Sequence, residues 1–288
     1  MAKRGKPIWK RALGALAGAL AKLLIIVLKI IEWAATESTR VLAGLFLSLL
    51  NFAKRKFAGS LDERKRPKGS AQYADLLVLE AKEGSFSAFE NYLLANKSTI
   101  GIVLGARGSG KSALGMRILE NVRARSGRNV AAMGFQKESL PKWIHCIENL
   151  DEIRNGSFIL VDEGGIVFSA RRALSDANKI LSELLLISRH KDISVLFISQ
   201  NSANLDINAL RQADYLLLRK SALLQKDFER KKIREVYLQA KGLFEKHGKD
   251  KQKITYVYSD EFSGLVANPL PTFWSEGASK GFGGFKLK

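Results

Sequence analysis

The pattern of apolar positions divides the chain into an unusual first fifth and a more ordinary remainder. Residues 12–31, ALGALAGALAKLLIIVLKII, are apolar apart from Lys22, Lys29 and a few small residues, which is long enough to cross a bilayer core. A second run, VLAGLFLSLLNF, covers residues 41–52 and is short for a full crossing. Between them lies EWAATESTR with Glu32 and Glu37, and basic residues flank the pair on both outer sides. That arrangement fits a hairpin with both ends on the cytoplasmic side. It also fits one long helix lying in the membrane interface. Lys22, Lys29, Glu32, Thr36 and Arg40 fall on one helical stripe, and Trp9 and Trp33 suit interfacial depth. A third possibility is a helix packed against another subunit. A cleaved signal peptide is disfavoured by the length of the apolar part.

Beyond this, the periodicity switches repeatedly between strand and helix. Short apolar runs at 98–104 (STIGIVL), 128–134 (NVAAMGF), 157–163 (SFILVDE) and 193–199 (ISVLFIS) predict buried strands, and the alternation in KITYVYS, 253–259, predicts another. Leu114, Ile118, Leu119 and Val122 have helical spacing, and helices are also predicted at about 140–153, 176–190 and within 221–247. The polar, basic stretch ending in RKRPKGS reads as a linker. The division is therefore 1–57 basic and apolar helical segment, 58–70 linker, 71–270 main domain, and 271–288 Gly-rich basic tail. PLPTFW, 269–274, reads as a rigid packing segment. The fold class is α/β, with a mostly parallel sheet flanked by helices.

Charge changes the picture at the two ends. Of 288 residues, 47 are Lys or Arg and 28 are Asp or Glu, a net charge of +19. Residues 1–70 carry net +11 and 211–288 net +7, whereas 71–210 are close to neutral. Basic ends point to polyanionic partners, nucleic acid or anionic lipid. Lys226, Arg230, Lys231, Lys232 and Arg234 form one basic cluster suited to a phosphate backbone, or simply to a solvated helix face. The single Cys146 excludes an internal disulfide and a multi-Cys zinc site.

The chemistry is concentrated after the first predicted strand. Gly105-Ala106-Arg107-Gly108-Ser109-Gly110-Lys111-Ser112 matches G-x-x-x-x-G-K-[ST] at every fixed position, between a strand and a helix. Glycines let backbone N–H groups wrap phosphates, and the helix N-terminus adds positive potential. Lys111 is expected to reach the β- and γ-phosphates of ATP, and the Ser112 hydroxyl to ligate Mg²⁺. About 50 residues later, the strand at 158–161 ends in Asp162-Glu163. Asp162 is expected in the Mg²⁺ shell, and Glu163 is expected to orient or deprotonate the attacking water. Gln200, ending the 193–199 strand, is placed to sense the γ-phosphate.

The pieces GARGSGKS, ILVDEG, SRHKDISVLFISQ and LDINALRQADY, in that order, resemble the HerA/FtsK superfamily of P-loop ATPases over roughly residues 95–220. Within it the chain is similar to viral genome-packaging ATPases and to zonula occludens toxin-like phage morphogenesis proteins. The resemblance implies a RecA-like domain, a homo-oligomeric ring, usually a hexamer, and an arginine donated in trans. Arg189 matches that finger, with Arg211 as second choice, and Arg171 and Arg172 are candidate sensors or DNA contacts. It further implies translocation of double-stranded DNA held by its backbone, with capsid or portal-vertex proteins as possible partners. The alternative it implies is a membrane-attached virion assembly or export ATPase. Residues 8–57 would then place the protein at a membrane with the ATPase domain cytoplasmic, or inside the virion. The short interval between Lys111 and Asp162 leaves no room for the large insertion of conjugative coupling proteins. The apolar region precedes the ATPase motifs, whereas toxin-like members usually carry it after them.

Overall fold

The computed structural model describes residues 66–169, 174–222, 224–247 and 253–274, together with 22, 24–27 and 29. The chain forms two compact units, Met1–Leu61 and Asp62–Lys288. In the first, residues 22, 24–27 and 29 are helical and exposed. The remainder of the 12–52 region lies outside the described residues, as do most of the 58–70 stretch, Arg171, Arg172 and the tail from 275. No helix among the described residues is long and apolar enough to cross a membrane.

The second unit is built on a nine-stranded sheet. Its strands are β1 (Leu77–Gly84), β2 (Ile100–Leu104), β3 (Val130–Met133), β4 (Ile144–Ile147), β5 (Phe158–Asp162), β6 (Ser194–Ser199), β7 (Tyr215–Leu218), β8 (Ile254–Ser259) and β9 (Phe262–Ala267). Their order across the sheet is β1-β9-β8-β7-β2-β6-β5-β3-β4. The strands from β7 to β4 pair in parallel, while β8, β9 and β1 extend the sheet with antiparallel pairs. Every residue of β2, β3, β6 and β7 is buried, which is why these segments read as unbroken apolar runs.

The helices are α1 (Phe86–Ala95), α2 (Lys111–Ser126), α3 (Glu163–Ser169), α4 (Leu174–His190), α5 (Ile207–Arg211), α6 (Gln225–Phe228) and α7 (Lys231–Lys246). They cover both faces of the sheet. Alternate residues of the central strands enter two apolar clusters. One holds Ile102 and Leu104 with Leu184 of α4 and Val236 of α7. The other holds Val103 with Leu114 of α2 and Phe89 of α1.

Helix α2 is buried from its start to Val122, and its last turn is exposed. Gly115 faces β5, where an added Cβ would lie 2.5 Å from Leu160 Cδ1, so the helix seats unusually close to the sheet. Two chain segments strap it from outside. Arg117 and Glu120, 2% and 0% exposed, pair at 3.1 Å. Arg117 donates to the Gln72 carbonyl at 3.1 Å and to the Leu270 carbonyl. Glu120 accepts from the Gln72 and Thr272 backbones at 3.2 and 3.0 Å. The 269–274 segment is therefore a packing strap, with Phe273 edge-on to Trp143 at 5.5 Å. Arg66, at the end of the stretch read as a linker, is buried and donates to the carbonyls of Leu140, Pro141 and Ile144.

One predicted element is corrected. Residues 140–153 are not a helix. They contain β4, preceded by a turn opening at Pro141 and followed by a 3-10 turn at Leu150–Glu152. The apolar spacing of Ile144 and Ile147 suits a helix as well as a short strand, and the parallel pairing with β3 decides it. His145 is exposed, and the half-buried Cys146 donates its S–H to the Phe135 carbonyl. Burial raises the Cys146 pKa, so its thiol stays protonated at neutral pH.

Candidate nucleotide site

The loop 105–110 joins the C-terminal end of β2 to the N-terminus of α2. Gly105 has φ +152°, and a Cβ there would sit 2.5 Å from the Arg219 Cβ. Glycine is thus required on both conformational and steric grounds. The loop is buttressed from β7: Arg219 N–H donates to the Leu104 carbonyl at 2.8 Å, and Ala106 N–H to the Lys220 carbonyl at 3.2 Å. Lys111 is buried, and its Nζ donates to the Gly105 and Ala106 carbonyls at 2.7 and 3.0 Å. Burial lowers its pKa to about 8, the nearby Asp162 and Glu163 carboxylates opposing that fall and the Arg219 charge adding to it.

The acidic pair stands two strands away, because β6 lies between β2 and β5. Ser112 Oγ donates to Asp162 Oδ2 at 2.9 Å, so loop and pair share one site. Asp162 ends β5 and Glu163 opens α3. Burial raises both carboxyl pKa values above the usual carboxylate range. Hydrogen bonds from Ser112 and the Gly165 and Gly164 backbone hold the Asp162 pKa down against that rise. Ser199 and Asn204 do the same for Glu163. Glu163 is 7% exposed, and its Oε2 has no hydrogen-bond partner among the described residues. The same holds for Ser109 Oγ in the loop.

These features suit a magnesium-bound triphosphate. A buried carboxylate touching a hydroxyl, beside an ammonium and two unpartnered buried oxygens, is a donor set waiting for a cation and an anion. Lys111, Ser112, Asp162 and Glu163 are thereby brought together. Gln200 follows β6, next to Ser199, with an exposed side chain, and its carbonyl accepts from Gln225 Nε2 at 2.6 Å. Arg107 is exposed on the loop. Arg189 and Arg211 are not part of this site. Arg189 lies in the last turn of α4 before β6, and Arg211 ends α5 before β7. Both are exposed and precede the N-terminal ends of strands parallel to β2, whereas the loop follows the C-terminal end of β2.

Arg219 is the residue that motif reading missed. It is 0% exposed and follows the apolar strand YLLL. Its guanidinium donates to the Gly110 carbonyl at 3.1 Å, the Ile254 carbonyl at 2.8 Å, Thr255 Oγ1 at 3.0 Å and Asn268 Oδ1 at 2.9 Å. It therefore ties the loop to β8 and to the residue after β9. Burial lowers its pKa to about 10, still well above neutrality, so it stays charged. The available signal was an arginine directly after four buried apolar residues.

Fold and site define a P-loop nucleotide-binding α/β domain. No family model matches the sequence, and no curated protein does. Solved structures are similar in fold. The DNA-packaging ATPase B204 of Sulfolobus turreted icosahedral virus is 14% identical, with TM-score 0.43, over 60% of this chain and 99% of that one. The genome packaging NTPase B204 of Sulfolobus turreted icosahedral virus 2, in complex with ATP-gammaS, is 15% identical, with TM-score 0.41, over 60% and 98%. The pCW3 conjugation coupling protein TcpA is 13% identical, with TM-score 0.40, over 63% of this chain and 62% of that one.

Proposed function

We propose that the protein is an ATPase that couples hydrolysis to movement of double-stranded DNA, as a viral genome-packaging motor. The observation that carries the ATPase reading is the 2.9 Å contact between Ser112 and Asp162 beside Lys111. The DNA reading is supported by the four motif pieces quoted above and by the exposed basic residues Lys231, Lys232 and Arg234 on α7.

The backbone of 105–110 and Lys111 bind and orient the triphosphate. Ser112 and Asp162 would hold magnesium, which when bound neutralises charge on the transferring phosphates. Glu163, directly after β5 and opening α3, takes the proton of the attacking water. Its raised pKa makes it a better base than an exposed carboxylate. Arg189 or Arg211 acts across a ring interface on the neighbour's nucleotide. Such a ring, a hexamer, surrounds the duplex with basic residues contacting its phosphates. Residues 8–57 attach the protein to a membrane, with the ATPase domain on the cytoplasmic side.

The test is steady-state ATP hydrolysis by the full chain with and without duplex DNA. Turnover that rises with DNA supports a packaging motor. Turnover indifferent to DNA argues for an assembly or export ATPase, and no turnover at all removes the enzyme reading.

A further inference from the structure

The turn after β6, residues 199–206, is gripped from two sides. On the nucleotide side β6 leads into it: Ser199 is in register with Leu104, the last residue before Gly105, and Ile198 with Asp162, while the Ser199 and Asn204 side chains hold the Glu163 pKa down against burial. On the other side stand α6 and the start of α7. Gln225 Nε2 donates to the Gln200 carbonyl at 2.6 Å and to Glu229 Oε1 at 2.8 Å. Glu229 Oε2 accepts from Ser202 N–H at 2.7 Å and from the Ser202 hydroxyl. Arg230, the cap of α7, donates from its backbone to Ser202 Oγ at 3.0 Å. Its side chain donates to the Ser202 and Leu205 carbonyls at 3.1 and 2.8 Å. Glu229 is 3% exposed and Ser202 0%.

We propose that Gln225 and Glu229 are positioning residues that couple the nucleotide site, through the 199–206 turn, to the basic helix α7. The coupling rests on the proposed ATPase function, since it needs a nucleotide beside Glu163. The reason is geometric. Both oxygens of a buried carboxylate are engaged, so the turn cannot shift alone without stranding buried polar groups. A change at Glu163 or Gln200 therefore either carries the first turn of α7 with it or breaks this set of bonds. Lys231, Lys232 and Arg234, exposed just beyond the cap, move with that turn. The i,i+4 spacing of Gln225 and Glu229 is that of any helical pair, and their other partners lie about 25 residues away.

The experiment is hydrogen–deuterium exchange on the full chain, with and without magnesium and ATP-gammaS. Nucleotide should slow exchange at 105–112, which reports binding, and separately at 225–246, which reports coupling. In Gln225→Ala and Glu229→Gln the first response should persist. The second should shrink by roughly fivefold or more, the scale of an ordinary coupling energy. Simple loosening of α7 would raise its exchange equally with and without nucleotide, leaving the difference intact. If 105–112 responds but 225–246 does not in the wild type, or if either variant keeps the α7 response, the coupling is overturned while nucleotide binding stands. If 105–112 itself does not respond, the nucleotide reading fails and the coupling falls with it.

Discussion

The Ser112 hydroxyl donates to Asp162 Oδ2 at 2.9 Å, although 50 residues separate them in the chain. This contact exists because α2 seats against β5 at Gly115 and because β6 alone separates β2 from β5. It puts Ser112, Lys111 and the acidic pair in one place. Glu163, the next residue, is then the only member of the pair left with an unpartnered buried oxygen among the described residues. Glu163→Gln should keep ATP binding and lower kcat by about 10²–10⁴-fold, the usual contribution of a positioned base. Single-turnover hydrolysis with binding measured in parallel checks this. Wild-type kcat in the variant would remove Glu163 from the base role.

Nucleotide affinity should depend on pH through Lys111. Its pKa falls from an ordinary 10.5 to about 8, and only the protonated form attracts phosphate. A bound triphosphate raises that pKa again, so binding above pH 8 requires uptake of a proton. Affinity is expected to be level just below pH 8 and to fall above it, at most about tenfold per pH unit. Titration calorimetry in two buffers of different ionisation enthalpy measures the uptake directly.

Gly105→Ala should disable the loop. The new methyl would meet the Arg219 Cβ at 2.5 Å in a backbone conformation that side chains rarely adopt. A cost of about 1–3 kcal/mol is expected from the backbone alone. ATP binding should be lost well below the temperature at which the domain melts, as followed by circular dichroism.

The buried pair on α2 should be more important to stability than to chemistry. Glu120→Ala leaves Arg117 charged and buried, and such removals cost about 3–5 kcal/mol. Thermal melting should show a large drop. The ATP KM, measured well below the new Tm, should stay near that of the wild type.

Duplex binding should be governed by salt. Replacing Lys231 and Lys232 with Ala should reduce the slope of log K against log salt by about 1.8, at about 0.9 per lost phosphate contact. Fluorescence anisotropy over a salt series reads this. An unchanged slope would show that α7 does not touch the backbone.

Much of the candidate site was legible because it is local. A glycine loop between strand and helix needs neighbours only along the chain, and 105–112 carries its chemistry in eight consecutive positions. The acids at the end of a buried strand are almost as local. The segment at 140–153 misled because a short apolar pair has no clear period, and β4 exists through its pairing with β3. Arg219, Gln225 and Glu229 lie in no motif. Their partners come from other strands and turns, as Gly110 and Asn268 do for Arg219.

The chain's order of residues alone determined where phosphate chemistry belongs, which strands are buried on both faces, and where positive charge accumulates. Folding alone decided that Ser112 meets Asp162, that Arg219 braces the loop from behind, and that a buried glutamate ties the start of α7 to the turn after β6. The physical reason is range. Backbone geometry and hydrophobic period act between near neighbours, whereas hydrogen bonds among buried groups depend on which elements the sheet order sets side by side.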